Sequence, residues 1–195
     1  GVWLKAWLEH STRDDYWKHG SICEDYSQVQ IPVFAISGWA DGYSDTVFRL
    51  VENLESPSIG LVGPWGHNYP HLGMPGPGVG FLQEALLWWE RWLHNKKNAV
   101  DQLPKLRVWM QGNVPPSFTL DNRPSHCIAT EKWPVGRTSN SNNFYFQSYQ
   151  LDPERSDDNH SVMQSPLSVG LFAGKWCSFS ATPDLPHDQR EEDGG

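Results

Sequence analysis

Cysteine is scarce in this chain of 195 residues, which contains three copies, Cys23, Cys127 and Cys177. The odd number, the wide spacing and the lack of a C-x-x-C pair indicate neither a disulfide framework nor a cysteine zinc site. They slightly favour a reducing compartment such as the cytoplasm, without fixing the location. The first residue is Gly1 rather than methionine, which leaves a removed signal peptide or an upstream region open.

Long apolar runs and an excess of positive charge are also missing. No apolar run approaches the length that a membrane-spanning helix needs, so no membrane partner is expected. The 15 basic residues are outnumbered by 23 acidic ones, and the formal charge of −8 argues against nucleic acid and anionic membrane surfaces as partners. Tryptophan is abundant instead, with 11 copies. These favour aromatic core anchors, with an aromatic-lined cleft or a seam between domains as the alternative.

The first half of the chain has an α/β pattern. Residues 33–36 and 59–62 are apolar throughout, as in parallel strands that are covered on both faces. Between them a helix is predicted to begin with Ser44 as its cap and to end before Pro57. Its predicted buried positions are Val47, Leu50, Val51 and Leu54. Together these elements form one right-handed strand–helix–strand crossover.

Helical spacing of apolar residues predicts two more helices, over residues 2–8 and 81–94. The second has an apolar face broad enough for burial on more than one side. The segment that precedes it, residues 68–80, is rich in proline and glycine and is therefore predicted to be a loop.

The pattern changes near residue 100. Residues 106–110 and 143–146 have the composition of strands, they are separated by proline-containing loops, and no further helical periodicity of useful length follows. The predicted fold class is therefore α/β followed by all-β, with a β-sandwich or jelly roll that begins at residue 101. Residues 184–195 are polar and acidic without a closing strand, so this β domain is predicted to be incomplete.

The residues that follow the two predicted strands carry the chemistry of this chain. The motif G-W-A-D-G-Y occupies residues 38–43, and G-P-W-G-H occupies residues 63–67. Asp41 and His67 therefore lie at the carboxyl ends of neighbouring strands, where α/β sheets place catalytic groups. Their separation (67 − 41 = 26 residues) fits one helix and one strand. An acid followed by a histidine is also the order of the last two triad members in α/β-hydrolases.

In such a triad Asp41 would accept a hydrogen bond from one imidazole nitrogen of His67 and fix its tautomer. The other nitrogen would act as general base towards a serine hydroxyl. No G-x-S-x-G occurs in these residues, so the nucleophile is expected upstream.

Each motif residue also has a simpler interpretation. Taken alone, Asp41 is a turn residue before a glycine, and His67 is a surface histidine. Asp45 lies in the first turn of the predicted helix, where an acid favours the helix dipole. His67 and His71 are four residues apart, but Pro70 prevents a regular helix from presenting both to a metal. Surface roles are expected for His10, His19, His94 and His126, which lie in polar surroundings away from the strand ends.

These motifs resemble those of the cocaine-esterase and X-Pro dipeptidyl-peptidase group of serine hydrolases, which includes acyl esterases, glutaryl acylases and α-amino acid ester hydrolases. Besides the two motifs above, the resemblance covers W-K-H-G-S at residues 17–21 and E-A-L-L-W-W-E-R-W-L at residues 84–93. Trp133-Pro134 and the acidic stretch at residues 188–193 are similar to the C-terminal domain of the group.

The resemblance implies an α/β-hydrolase domain with a helical cap, followed by a jelly-roll domain of the galactose-binding type. Residues 1–26 would then be the end of the cap and its return, and residues 27–100 the C-terminal third of the α/β-hydrolase domain. Residues 101–195 would be a partial jelly roll. The family's nucleophile elbow and oxyanion-hole tyrosine precede all of these, so the missing N-terminal part of the same chain is an expected partner.

The same resemblance implies a small-molecule acyl ester or amide as substrate and no cofactor. Asp41 and His67 carry over as catalytic residues. Tyr43 carries over as a substrate-binding residue, because an aromatic side chain at this position borders the acyl pocket in the cocaine-esterase branch. The alternative for Tyr43 is that its ring packs under the turn.

A second function from another class stays open at this point. The chain could be a short protein that binds a ligand without catalysis through its jelly-roll surface, since an acidic, tryptophan-rich β domain is compatible with sugar binding.

Overall fold

The computed structural model describes residues 2–115, 121–136, 142–147 and 150–155, together with Gln164. The described residues form a four-stranded sheet, a separate two-stranded sheet and four α-helices. Residues 184–195, the acidic stretch within them and Cys177 lie outside the described residues.

The four-stranded sheet has the order β1-β2-β3-β4. The strands are β1 (Val33–Gly38), β2 (Ser58–Gly63), β3 (Leu106–Gln111) and β4 (Ser125–Thr130). The first three strands are parallel, and β4 runs antiparallel to β3. Both predicted apolar segments are therefore strands, and they pair directly with each other.

Helix α3 (Ser44–Asn53) connects β1 to the parallel strand β2 and packs on the sheet, which confirms the predicted strand–helix–strand order. Its Val47 and Val51 are each 2% exposed and form the core with Ala35, Val62, Leu106 and Val108. A Cβ added to Gly60 of β2 would lie 2.7–2.9 Å from Leu106, Val51 and Val47. Glycine at this position therefore allows the helix to approach the sheet closely.

The predicted cap of α3 is wrong by one residue. Ser44 is the first residue of the helix, and Tyr43 takes the cap position without a side-chain hydrogen bond. The Ser44 amide donates to the backbone oxygen of Asp41 at 3.3 Å. The amide of Thr46, one of those that a capping side chain accepts from, donates instead to the backbone oxygen of Tyr43 at 3.0 Å.

Helix α4 (Phe81–Leu93) matches the predicted segment. One face of the helix contacts the sheet. Trp88 is 5% exposed and its ring lies 5.5 Å from that of Phe34. Arg107 of β3 donates from Nη1 and Nη2 to the two oxygens of Glu84, at 3.0 and 2.5 Å. The burial on several sides that the sequence predicts is not found in the described structure, where the stripe of Leu82, Leu86, Trp89 and Leu93 is exposed.

The N-terminal region contains α1 (Val2–Glu9), as predicted, and the short α2 (Asp15–His19). None of the helices in the described part of the chain combines the length and the hydropathy that crossing a bilayer requires.

The parallel sheet continues past residue 100. β3 pairs parallel with β2, with Leu61 opposite Arg107, although the sequence predicts the start of a β-sandwich at residue 101. The two-stranded sheet, β5 (Tyr145–Gln147) with β6 (Gln150–Asp152), is antiparallel. The coarse prediction of mixed helices and sheets is thus confirmed. The α/β-hydrolase and jelly-roll descriptions, and the division at residues 26 and 100, stay predictions.

Candidate functional site

The candidate site lies at the edge of the sheet where β1 and β2 end. The two strands are parallel and in register, with Gly38 opposite Gly63, so the segments that follow them emerge side by side. The pairing continues beyond the strands, since the amide of Trp39 donates to the oxygen of Gly63 at 2.8 Å and that of Ala40 to the oxygen of Trp65 at 3.2 Å. Backbone hydrogen bonds therefore join the two motifs directly.

Trp65 fills the space between the two motifs. It is 1% exposed, and a Cβ on Gly38 would overlap its backbone oxygen, while a Cβ on Gly63 would overlap its ring. The two glycines are thus required by the close approach of Trp65 rather than by an unusual backbone conformation.

The carboxylate of Asp41 is held by the turn in which it lies. The amide of Asp41 donates to the oxygen of Gly38 at 3.1 Å. Its side-chain Oδ1 accepts from the amide of Tyr43 at 3.0 Å, in the manner of an Asx turn. The second oxygen, Oδ2, is thereby directed to His67.

His67 completes the pair. Its Nδ1 lies 3.0 Å from Oδ2 of Asp41, and the side chain of Asp41 is 9% exposed while that of His67 is 40% exposed. An ionised carboxylate can only accept, so Nδ1 carries the proton of this hydrogen bond. The neutral ring then has its proton on Nδ1 and its lone pair on Nε2. A general base of a serine triad needs this tautomer. The two residues that the sequence selects therefore meet in the structure.

A cavity of about 660 Å³ adjoins the pair, and most of its wall is apolar. The loop after β2 forms much of this wall. A backbone hydrogen bond within the loop, from the amide of Gly66 to the oxygen of Met74 at 2.8 Å, joins its two arms. The cavity is lined by Ile36, Ser37, Asp41, Trp65, His67, Asn68, Tyr69, Pro70, Leu72 and Phe81. The arrangement can therefore present a proton acceptor to a largely apolar ligand.

Tyr43 lies beside this pair. Its side chain is 63% exposed, and its ring centroid is 6.2 Å from that of His67 at an interplanar angle of 65°. A ring with this exposure disagrees with the alternative interpretation, in which it packs under the turn. Its role towards a substrate stays a prediction.

Asp45 takes no part in the site. It lies in the first turn of α3 and its Oδ2 is 2.8 Å from Nη2 of Arg49, one turn along the helix. This agrees with its interpretation as a residue that favours the helix dipole.

The other histidines in the described part of the chain lie apart from the Asp41–His67 contact. His71 stacks on Phe81 at 6.1 Å, and His10 pairs with Asp14, from Nδ1 to Oδ2, at 2.6 Å. That bond from His10 is the main reason that the pKa of Asp14 is lowered. Across the described ranges no three histidine, cysteine or acidic side chains come together in a way that could hold a metal.

Sequence reasoning missed two further polar residues in the cavity wall, Ser37 and Asn68. Ser37 is a residue of β1, and strand alternation could have placed it on the same face as Ala35 but not next to a cavity. Asn68 follows His67 directly, and its place in the proline- and glycine-rich loop concealed any signal.

Comparison with known proteins gives one family. Residues 1–69, about one third of the chain, match the model of the X-Pro dipeptidyl-peptidase family (S15 family). The resemblance that the sequence motifs indicate is confirmed over this segment, which includes both Asp41 and His67. The match supports a hydrolase of the serine-peptidase type. No curated protein matches the chain.

Proposed function

We propose, from the match of residues 1–69 to the X-Pro dipeptidyl-peptidases, that this chain supplies the acid and the base of a serine acyl hydrolase. Asp41 is the acid, His67 is the base, and the substrate is a small-molecule acyl ester or amide. The serine comes from a segment upstream of residue 1. The observation that carries the proposal is the 3.0 Å contact between Nδ1 of His67 and the largely buried Asp41.

The proposed mechanism follows the roles of a serine triad. Nε2 of His67 takes the proton of the serine hydroxyl while the serine oxygen bonds to the acyl carbon. The imidazolium then gives this proton to the departing oxygen or nitrogen, which leaves an acyl-serine. Water attacks the acyl-serine in the same way, with His67 again as base, and the acid product and the serine are released. Asp41 stays ionised and stabilises the imidazolium in both halves of the reaction.

Three substitutions test the proposal in the complete protein, meaning this chain together with the proposed serine-bearing segment. His67→Ala should nearly abolish turnover. Asp41→Asn should lower kcat by roughly four orders of magnitude, because an amide permits the wrong tautomer of the histidine. Asp45→Asn is the matched control, since this carboxylate pairs with Arg49 on the helix, and it should leave kcat within about twofold.

A dead Asp45→Asn enzyme with an active Asp41→Asn enzyme would show that the triad acid is misassigned. A complete, cooperatively folded protein without turnover of any acyl ester or amide would favour the alternative of a non-catalytic binding protein.

A further inference from the structure

Asn68 holds an unusual position in the wall of the cavity. It follows His67 directly and lines the same cavity as the Asp41–His67 pair. Both polar atoms of its carboxamide, Oδ1 and Nδ2, are shielded from solvent, and neither has a hydrogen-bond partner among the described residues. Ser37 Oγ, in the same wall, is in the same state.

A shielded and unpaired carboxamide costs free energy, because water is removed from it and nothing replaces the lost hydrogen bonds. The rest of this cavity wall is mainly apolar and includes the neighbouring residues Tyr69, Pro70 and Leu72. An asparagine at this position is therefore best explained by a ligand that enters the cavity and pairs with it.

We infer that Asn68 binds a secondary amide in the acyl part of the substrate. This inference rests on the proposed function. A carboxamide carries an acceptor oxygen and an NH2 donor, and these complement the N–H and the C=O of a secondary amide. The Asn68 side chain makes no hydrogen bond to the residues that the structure describes, so rotation about its own bonds towards the cavity breaks none of the described bonds. The preferred acyl groups are then those of N-acylated amino acids rather than plain hydrocarbon chains.

The experiment compares two p-nitrophenyl esters in the complete protein, that of N-acetylglycine and that of 4-oxopentanoic acid. The two acyl groups have the same length and a carbonyl at the same position, and the exchange of N–H for CH2 makes this carbonyl an amide in the first and a ketone in the second. The unmodified enzyme should prefer the N-acetylglycine ester in kcat/KM by about tenfold, the size of one well-placed hydrogen bond. In Asn68→Ala and Asn68→Leu this ratio should fall by about tenfold, because the hydrogen bond to the N–H is lost.

The ratio is measured within one preparation, so it does not depend on how much of a variant is folded. Asn53→Ala is the matched control, because this exposed residue ends α3 and its side chain bonds only to the helix backbone in the described structure; it should keep the preference. Thermal unfolding adds a second readout: Asn68→Leu removes the unpaired polar atoms at similar volume and should keep or raise Tm.

Equal kcat/KM for the two esters in the unmodified enzyme would overturn the inference, and so would a preference that persists in both Asn68 variants. A large fall in Tm with an unchanged ratio would show that Asn68 pairs with another part of the protein. Failure of the proposed function would give a different result. In that case His67→Ala would retain turnover on both esters.

Discussion

Trp65 fixes the spacing of the two site motifs through both its backbone and its ring. The backbone oxygen accepts from Ala40, and the ring lies where a side chain at Gly63 would be. Because Trp65 is 1% exposed, it has little room to move aside. The positions of Asp41 and His67 therefore depend on Gly38 and Gly63.

Gly63→Ala should accordingly damage both stability and activity. The new methyl group overlaps the ring of Trp65, and relief requires a shift of the backbone that carries His67. We expect a loss of about 1–3 kcal/mol in the free energy of unfolding and at least a tenfold fall in kcat/KM, measured by thermal unfolding and steady-state kinetics of the complete protein. Gly20→Ala is the control, because the nearest atom to its new Cβ is 3.9 Å away. A Gly63→Ala enzyme with unchanged Tm and activity would refute this role of Trp65.

The charge of the preferred substrate is a second prediction at this scale. The residues after Asp41 are Gly42, Tyr43 and Ser44, none of them acidic. In the α-amino acid ester hydrolases of the family that the sequence resembles, carboxylates at such positions help to hold the substrate ammonium. Here the carboxylate of Asp41 is already paired with His67, so an ammonium group would lose hydration without compensation.

We therefore expect a higher kcat/KM for a phenylacetyl ester than for the matching phenylglycine ester, with the same leaving group in the complete protein. Tyr43→Ala should lower kcat/KM for the phenylacetyl ester if its exposed ring contacts the acyl group. A clear preference for the amino ester would contradict the prediction, since it would require a counter-charge from another part of the protein.

Among the elements, α4 depends on ion pairs at both ends of its buried face. Glu84 in its first turn binds Arg107 of β3, and Arg91 in its last turn binds Asp101 in the following 3₁₀ turn, from Nε to Oδ1 at 2.5 Å. The hydrogen bond from Arg91 lowers the pKa of Asp101 from the ordinary value of an aspartate. This contact joins the helix to the segment that leads into β3.

Because the pKa of Asp101 is lower in the folded state than in the unfolded state, its contribution to stability is present above pH 3.8. It is lost as the pH falls through the folded pKa. Asp101→Asn should therefore lower Tm slightly at pH 7, and the difference from the unmodified protein should shrink as the pH falls below 3.8. In an Arg91→Met background the same substitution should have almost no effect. A Tm difference that is unaffected by pH or by Arg91→Met would show that the ion pair has no role in stability.

At the scale of the whole molecule, two helices leave large apolar side chains uncovered in the described structure. On α4 these are Leu82, Leu86, Trp89 and Leu93, and on α1 they are Val2, Trp3, Leu4, Trp7 and Leu8. Contiguous apolar surface of this kind marks either an interface or a tendency to aggregate. Under the proposed function it is covered by the rest of the complete protein.

The 195-residue chain expressed alone should therefore fold poorly and hydrolyse no ester. Its exposed apolar surface favours association, and it contains no G-x-S-x-G nucleophile. We expect aggregation on size-exclusion chromatography, no cooperative thermal transition, and p-nitrophenyl acetate hydrolysis equal to that of buffer, with the complete protein as positive control. A monomeric chain that unfolds cooperatively and hydrolyses this ester above buffer would contradict both parts of the prediction.

The sequence alone determined the local elements and the identity of the pair. The apolar segments of β1 and β2 and the helical spacing of α3 and α4 are local signals, which depend on residues only a few positions apart. The position of Asp41 and His67 after successive strands was sufficient to predict that they meet, because parallel neighbours end at the same edge.

Tertiary structure alone decided what surrounds the pair. The apolar pattern of β3 indicates a strand but not its partner, because strand pairing is set by contacts between distant residues, and β3 joins β2 across residue 100. In the same way, the pairing of Trp65 with Gly38 and Gly63 and the unpaired carboxamide of Asn68 arise only once the two motifs are side by side. Packing between distant segments leaves no periodic signal in the chain, so these features required the folded structure.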